Sequence, residues 1–527
     1  MNSSTSATAA AATDRMPGGI PYIVANEFAE RFCYYGINAI LAVYMTTYLH
    51  FGQAHATSWQ SWFKAGAYFF PMLGAVISDA LWGKYRTVIT FSIAYMVGCI
   101  VLAFGPATSE TLAVGLGLIA FGTGGIKPCV ATNVGDQFTS RNQHLIERAF
   151  SYFYLSVNAG SFISIPLCPV LLKFYGPKVA FGVPATMMAL ATIAFYMGRR
   201  RFVVVPPAGM QWLRDVFSLD GLKLALNLAV IYVFTAGFWS LWEQSNGQTW
   251  TLQATSDLMD KDIGFGLTLL PSQIQVVNAI LILLLVPVFT FGVYPLWARF
   301  TKVTPLRKIG LGLFLAALSF MMISHVEARI QGGHVITVWW QVGAYVVLTA
   351  SEVLVSITSL EFSYKQAPLR MKSFVMALYL LSISAGNATT AVVNEKMVRE
   401  LPGASVTAGA ETWVQLPPGT AFIAGQKVDF GGDTGITVVR DGAEAQPLEG
   451  TFLAAEVQGT RIRLMDNDHR RPVATAGTWN AAGGQVSTYR LVGPQYFDFF
   501  AGSLAALGVV FIGVAMLYRE RHYVRSE

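Results

Sequence analysis

About twelve apolar segments, each long enough to cross a lipid bilayer, follow one another along this chain. They lie near residues 20–49, 57–82, 85–105, 111–135, 149–171, 179–198, 222–243, 272–297, 307–325, 336–362, 372–397 and 496–518. Only 13% of the 527 residues are charged, whereas a soluble domain carries about 25%. The sequence therefore predicts an all-α polytopic protein that is integral to a lipid bilayer.

Clusters of basic residues follow the even-numbered spans. They are Lys84, Arg86, Arg141, Arg148, Arg199, Arg200, Arg201, Arg299, Lys302, Arg307, Lys308, Lys365, Arg370, Lys372, Arg519, Arg521 and Arg525. The short loops after spans one and three contain no Lys or Arg. Because cytoplasmic loops carry the excess of basic residues, we expect both tails, 1–18 and 519–527, in the cytoplasm. The expected location is the plasma (inner) membrane. The net charge of +6 then gives no indication of a nucleic-acid partner.

One long polar stretch, residues 400–495, interrupts this pattern between spans eleven and twelve. Residues 459–464 alternate polar and apolar side chains, and residues 436–439 precede a turn signal at Arg440-Asp441-Gly442. We expect a small β-rich domain on the extracytoplasmic side. A structural role for it is favoured over a partner surface or a substrate-capture surface.

The four cysteines all fall within apolar segments and have no spacing typical of metal ligands. They are Cys33, Cys99, Cys129 and Cys168. Buried thiols are the better interpretation, and no metal site is expected.

Three ionisable residues lie inside the first span. Glu27, Glu30, Arg31 and Tyr34 stand at i, i+3, i+4 and i+7, so they share one helix face. Each ionisable group costs about 2.5–3.5 kcal/mol near the bilayer centre, so this face should meet protein or a water-filled path. A structural salt bridge explains one Glu–Arg pair but not a second glutamate one turn away. Transport or proton transfer is therefore favoured over a purely structural role.

Residues 25–36 read ANEFAERFCYYG. This stretch resembles E-x-x-E-R-F-x-Y-Y-G, the first-helix signature of the proton-coupled oligopeptide transporters, a branch of the major facilitator superfamily. The resemblance implies 12 transmembrane helices in two six-helix halves. The predicted parts are an N-terminal bundle at 19–200, a linker at 201–221, helices 7–11 at 222–399, the insert at 400–495 and helix 12 at 496–518. The insert is not part of the family's core pattern.

Residues 74–86, GAVISDALWGKYR, resemble the loop motif G-x-x-x-D-x-x-G-x-x-R of the superfamily. Small residues let the helices approach each other closely. Asp79 and Arg86 are predicted to form a cytoplasmic latch that breaks when the carrier opens inward. A simple loop tether is the alternative.

Residues 122–128, GTGGIKP, resemble the family element G-x-G-G-I-K-P. The lysine in it, Lys127, needs a counter-charge at membrane depth. Span seven offers Glu243 at comparable depth, and the resemblance also pairs the fourth and seventh helices. We therefore predict a Lys127–Glu243 ion pair between the two halves, either switchable or static.

Residues 153–161, FYLSVNAGS, resemble the family signature F-Y-x-x-I-N-x-G-S. Tyr154 and Asn158 are four residues apart and share a helix face. An amide both donates and accepts hydrogen bonds, so Asn158 suits a peptide backbone, with an interhelical hydrogen bond as the alternative. Asn278 resembles a matching asparagine of the other half. Tyr68 resembles a pocket tyrosine, although packing is the commoner role of such a ring.

Span ten carries Glu352, which resembles the family's tenth-helix glutamate that meets the amino terminus of the peptide. In span eleven the family usually has a tryptophan seven residues before Gly386-Asn387, and here that position is Tyr379. The site would keep an aromatic wall but gain a hydroxyl group.

Taken together, the resemblance implies a proton-coupled symporter that imports di- and tripeptides by alternating access. It implies a substrate site of Arg31, Tyr34, Tyr35, Tyr68, Lys127, Tyr154, Asn158, Asn278, Glu352, Ser356 and Tyr379. It implies proton coupling through Glu27, Glu30, Arg31, Lys127 and Glu243. No cofactor beyond the proton gradient, no enzymatic activity and a monomeric transport unit are expected. A symporter of nitrate or another small anion is the nearest alternative, and a non-transporting receptor is the next.

Overall fold

The computed structural model describes residues 15–139, 141–207, 209, 214, 218–264, 266–366, 372–439, 445–466 and 471–518. The predicted N-terminal tail is therefore described from residue 15 onward. The tail at 519–527, the basic residue Arg370 and the turn signal at Arg440-Asp441-Gly442 lie outside the described residues.

The helices are α1 Ile20–Thr47, α2 Gln53–Val76, α3 Lys84–Phe104, α4 Ser109–Asp136, α5 Ile146–Met197, α6 Leu219–Ser245, α7 Thr249–Ala254, α8 Val276–Val288, α9 Tyr294–Ala298, α10 Pro305–Gln331, α11 Trp339–Glu352, α12 Thr358–Lys365, α13 Lys372–Met397 and α14 Pro494–Leu517. Wider π-helical turns continue α2, α8 and α11 at Ile77–Trp82, Phe289–Val293 and Val353–Ile357. Within the described part of the chain, ten helical stretches are long and apolar enough to cross a membrane. The protein is therefore a helical polytopic membrane protein.

Two of the predicted spans need a closer description. The first, α1, has 28 residues and carries the three charged side chains predicted to share a face. The fifth and sixth are joined in α5, whose 52 residues bend sharply at Gly176. There φ is 77°, a backbone conformation that glycine adopts without a steric penalty, and Pro177 follows.

The helices pack into two groups, each with its own apolar core. In the N-terminal half, α1 packs on α5, α3 packs on α4 and α5, and α2 packs on α4. In the C-terminal half, α10 packs on α11 and α14, and α6 packs on α13. The main contact between the halves is the packing of α2 against α13. The interior between the halves is therefore bordered by helices of both groups.

Residues 398–489, between α13 and α14, form a β-rich region. Before it come two short paired strands, β1 Met259–Asp260 and β2 Ile336–Thr337. The region's strands are β3 Val398–Glu400, β4 Ser405–Thr407, β5 Trp413–Gln415, β6 Lys427–Gly432, β7 Ile436–Val439, β8 Gln446–Pro447, β9 Gly450–Gln458, β10 Arg461–Met465, β11 Ala474–Gly477 and β12 Gly484–Tyr489. One antiparallel sheet has the order β3-β12-β6-β9-β10-β5-β4, and a smaller one has the order β11-β7-β8. Alternation along β10 buries Ile462 and Leu464 in the core of the region.

The β-rich region contacts the first turn of α2. The backbone N–H of Gln53 donates to Thr451 Oγ1 at 3.3 Å, and that of Ala54 donates to the Tyr489 hydroxyl at 3.4 Å. Both hydroxyls in turn donate to the carboxylate of Asp429. The first N–H groups of a helix have no partner within the helix, and a negative charge beside them is favourable. The β-rich region thus caps α2.

A second contact joins the β-rich region to both halves. Lys427 Nζ lies 2.9 Å from Gln53 Oε1 of α2 and 3.2 Å from Glu327 Oε1 of α10. The other oxygen of Glu327 accepts from Gln253 Nε2 at 2.9 Å. We call the side of the helical bundle on which this region lies the β side.

Asp429 gives these contacts a dependence on pH. Burial raises its pKa to about 6, against the opposing effects of the Tyr489 and Thr451 hydrogen bonds and of Lys427. Between about pH 4 and pH 6 the folded chain therefore binds more protons than the unfolded chain, so stability falls as pH rises through this window.

We expect Asp429→Asn to flatten the fall in thermal stability between about pH 4 and pH 6, because the amide does not titrate. The measurement is the unfolding temperature of the detergent-solubilised protein across this range. The exposed Asp433 provides a matched Asp433→Asn control. An unchanged pH profile in Asp429→Asn would contradict the assignment.

Candidate functional site

The charged residues of α1 form one buried cluster. Arg31 Nε donates to Glu27 Oε1 at 2.7 Å and lies 3.1 Å from Glu30 Oε2. Both glutamates are buried. Among the described residues, neither oxygen of Glu30 has a hydrogen-bond partner, and one oxygen of Glu27 also lacks one. Buried polar atoms without partners are costly. Two carboxylates thus share one guanidinium nitrogen, an arrangement that can accommodate an added proton.

Arg31 keeps part of its guanidinium group available. Its hydrogen bonds and ion pairs to the described residues use Nε alone. The two terminal nitrogens form the fork that binds a carboxylate with two parallel hydrogen bonds. The cluster can therefore hold the glutamates and bind an anionic ligand through different atoms of one side chain.

Lys127 does not form the ion pair that the sequence predicts. Its Nζ lies 4.2 Å from the ring centroids of both Tyr34 and Tyr68. Among the described residues it has no hydrogen-bond partner. A cation over aromatic faces is stabilised by the ring quadrupoles. The predicted Lys127–Glu243 pair is therefore wrong for this conformation.

Glu243 is paired instead with Lys64, which the sequence analysis missed. Lys64 Nζ lies 2.9 Å from Glu243 Oε2, and both side chains are buried. The same ammonium donates to the backbone carbonyls of Glu243 at 2.9 Å and Asn246 at 2.7 Å. The last carbonyls of a helix lack partners within it, so the end of α6 attracts this cation. The position of Lys64 inside an apolar span is the sequence feature that could have identified it as a functional residue.

Glu352 is oriented by two donors. Its Oε2 accepts from Asn278 Nδ2 at 2.8 Å and from Trp242 Nε1 at 3.0 Å. Asn278 also donates to Thr349 Oγ1 at 3.0 Å. The structure thus brings together Asn278 and Glu352, two residues singled out from the sequence, and adds Trp242, which was not.

A cavity of about 140 Å³ lies between the two halves. Of the predicted substrate residues, it is lined by Tyr35 and Asn158 from the N-terminal half and by Asn278 and Glu352 from the C-terminal half. Polar lining residues that the sequence analysis did not identify are Ser161, Trp242, Ser245, Asn246, Gln275 and Tyr345. This cavity can hold a small ligand in contact with both halves.

Seven predicted substrate residues do not line that cavity. Four of them, Arg31, Tyr34, Tyr68 and Lys127, belong to the basic groups described above, and the other three are Tyr154, Ser356 and Tyr379. The side chain of Tyr154 is 60% exposed, and its backbone carbonyl accepts from Asn158 Nδ2 at 2.8 Å. Ser356 and Tyr379 form a pair of their own, with hydroxyl oxygens 3.3 Å apart. Tyr379 packs edge-on to Trp239 with ring centroids 6.5 Å apart.

The predicted latch between Asp79 and Arg86 is not formed among the described residues. The charge pair at this end of the bundle joins Lys84 and Asp136. Because α3 begins beside the end of α4, Asp136 has Lys84 within reach. Asp79 lies in the π-helical turn after α2.

Comparison with known proteins gives a consistent result. Residues 85–220 and 210–414 match the family model described as POT family. Solute carrier family 15 member 2 of Danio rerio is 37% identical over 362 residues, which is 60% of this chain and 50% of that protein. The chain spans about half the length of the curated relatives it matches.

This chain also aligns with two solved structures over most of the length of each. The POT family transporter PepTSo has a TM-score of 0.71 and 27% identity, over 97% of this chain and 100% of that one. A proton dependent oligopeptide (POT) family transporter has a TM-score of 0.62 and 34% identity, over 71% of this chain and 91% of that one.

Proposed function

This chain belongs to the POT family, and from that premise we propose that it is a proton-coupled symporter that imports di- and tripeptides by alternating access. The observation that carries the proposal is the distribution of charge around the space between the halves. Glu352 belongs to the C-terminal half. The N-terminal half contributes the two terminal nitrogens of Arg31 and the ammonium of Lys127, none of which has a hydrogen-bond partner among the described residues. A short peptide has an ammonium group that can bind Glu352 and a carboxylate that can bind Arg31 and Lys127.

Two side-chain amides and several side-chain hydroxyl groups complete this proposed site. Asn158 and Asn278 lie on opposite halves of the same cavity. Both can bind the peptide bond, which has one donor and one acceptor. Tyr34, Tyr35 and Tyr68 surround the basic end, and Tyr154, Ser356 and Tyr379 are assigned to side-chain pockets. Because these contacts use groups common to all short peptides, broad selectivity follows.

Proton coupling is assigned to Glu27, Glu30, Arg31, Lys127 and Glu243. Glu30 has the strongest support, because it is buried and neither of its oxygens has a hydrogen-bond partner in the described chain. A proton on it removes a charge that Arg31 otherwise has to balance. Arg31 then balances Glu27 alone and has more of its positive charge for a peptide carboxylate, which links proton and substrate.

The proposed topology has twelve membrane helices in two six-helix halves. Ten apolar helical stretches, the charged helix α1 and the bend that divides α5 at Gly176 support this number. In this topology both tails are cytoplasmic, the inner membrane is the location, and 400–495 is an extracytoplasmic insert before helix 12. The bundles are 19–200 and 222–399 with a linker at 201–221, and the transport unit is a monomer.

The contacts between the halves support an inward-facing conformation. They lie toward the β side, where Trp62 Nε1 donates to Glu395 Oε1 at 2.7 Å and Gln273 Nε2 donates to the Pro166 carbonyl at 3.0 Å. Tyr154, toward the opposite side, is exposed. If the β side is extracytoplasmic, the substrate pathway between the halves is closed on the extracytoplasmic side and open to the cytoplasm. This is one of the two end states of alternating access. The unformed Asp79–Arg86 latch agrees with this state.

The test is uptake of labelled di-alanine into proteoliposomes under a proton gradient. We expect Glu352→Gln to reduce uptake of di-alanine about tenfold or more, because the amide cannot balance the ammonium charge. The same substitution should change the uptake of N-acetylated di-alanine little, because that peptide has no ammonium group.

The matched control is Glu361→Gln, an exposed glutamate paired with Lys365. Peptide uptake that is unaffected by Glu352→Gln would retain the function and reject the site. Nitrate uptake without peptide uptake would replace the substrate class with a small anion.

A further inference from the structure

The pair between Lys64 and Glu243 has a role beyond holding the halves together. We propose that Lys64 is the counter-ion of Glu243 in the inward-facing state and thereby keeps Lys127 free for the substrate carboxylate. The part of this proposal that concerns substrate rests on the proposed function above. The part that concerns the interface between the halves does not.

In the described part of the chain, all polar partners of Lys64 belong to the end of α6. The ammonium lies on the carboxylate of Glu243, on the carbonyl of the same residue and on the carbonyl of Asn246. Lys64 itself belongs to α2, in the other half. Separation of the halves on the β side therefore breaks this ion pair and both hydrogen bonds of Lys64 at once.

Neighbouring polar groups hold the end of α6 in this position. The Asn246 carbonyl also accepts from Asn38 Nδ2 of α1 at 3.0 Å. Asn38 in turn accepts from Gln60 Nε2 of α2 at 2.9 Å. Gly247 follows with φ of 78°, and a Cβ there would meet the Asn38 carbonyl. The contact is thus built from both α1 and α2, with Lys64 as its charged member.

Lys127 is close enough to Glu243 to interact electrostatically, yet it has no hydrogen-bond acceptor among the described residues. Four further titratable groups of the described chain lie close enough to Glu243 to interact with it electrostatically: Tyr34, Tyr35, Tyr68 and Glu352. None of these is a cation, whereas Lys64 and Lys127 both are. Since Lys64 already balances Glu243, Lys127 lies over Tyr34 and Tyr68 without an ion pair to any described residue.

The first test measures binding of di-alanine to the purified protein. Lys64→Met leaves Glu243 unbalanced, so Lys127 should move onto it, and we expect binding to weaken about tenfold. The double variant K64M/E243Q removes both charges, frees Lys127 again and should restore binding to within about threefold of the wild type. Lys127→Met should weaken binding in a way that E243Q does not restore.

Exposed Lys173 provides the matched surface control, Lys173→Met. Unchanged binding in a folded Lys64→Met protein would overturn the proposal. So would a folded K64M/E243Q protein that binds as weakly as Lys64→Met alone.

The second test needs no substrate. Spin labels at Ala107 and His334, exposed positions on the β side of the two halves, report the distance between the halves there. The four native cysteines are buried. We expect Lys64→Met to shift the distances to longer values. If this shift occurs but the wild type binds no peptide, the substrate assignment is rejected and the role of Lys64 at the interface is supported. Unchanged distances would overturn that role whatever the substrate.

Discussion

Replacing Glu30 by glutamine is expected to abolish uphill uptake of peptide while peptide exchange continues. Glu30 is buried beside Arg31, and its oxygens have no hydrogen-bond donor in the described chain. Glutamine keeps its shape but cannot take up or release a proton. One proton moving down a gradient of one pH unit supplies about 1.36 kcal/mol, enough for about tenfold accumulation of a neutral peptide. In the variant the inside and outside concentrations should become equal.

The measurement compares uptake under a proton gradient with counterflow of labelled peptide in the same proteoliposomes. Glu361→Gln, at an exposed ion pair, should leave both unchanged. Accumulation that persists in Glu30→Gln would assign the coupling proton to another group. Glu27→Gln is the informative comparison, because Glu27 holds the shorter contact to Arg31.

Replacing Arg31 by lysine is expected to weaken peptide binding about tenfold to a hundredfold, since lysine has no planar fork for the carboxylate. The positive charge beside Glu27 and Glu30 is retained, so the fold should survive. Arg31→Met removes that charge, and an uncompensated buried ion costs about 3–5 kcal/mol of stability. The measurements are calorimetric binding of di-alanine and thermal unfolding of each variant.

A dipeptide with an amidated carboxyl terminus separates the two effects. It lacks the carboxylate, so the wild type and Arg31→Lys should bind it with similar, weak affinity. Arg148→Lys, at an exposed arginine, is the surface control. If Arg31→Lys binds di-alanine as tightly as the wild type, the carboxylate does not meet Arg31.

Local sequence was sufficient to predict the cluster in α1. A helix places residues three and four apart on one face, so the arrangement of Glu27, Glu30 and Arg31 needs no tertiary information. Asn158, which lines the cavity, was singled out by its resemblance to the family signature and not by periodicity, since Tyr154 on the same predicted face lies outside the cavity. The roles of these residues in transport and coupling stay predictions until the uptake measurements are made.

Sequence could not choose between lysines on different helices. Lys64 and Lys127 both lie inside apolar spans, and only the packing of α2 beside the end of α6 decides which one balances Glu243. The same limit explains the pair of Lys84 with Asp136 in place of the Asp79–Arg86 latch. Ion pairs between helices depend on how the helices pack in three dimensions, and the periodicity of a single helix does not specify that packing. The order of strands in the β-rich region is non-local for the same reason.

The two hydroxyls that cap α2 come from positions 398 and 435 residues further along the chain. During translation, every helix from α1 to α13 is therefore made before either hydroxyl exists. The N–H groups of Gln53 and Ala54 must remain hydrated until β9 and β12 have been synthesised and folded. Completion of this end of α2 is thus a late step in biogenesis, and a nascent chain that stops before Thr451 contains the membrane helices α1 to α13 without their finished cap.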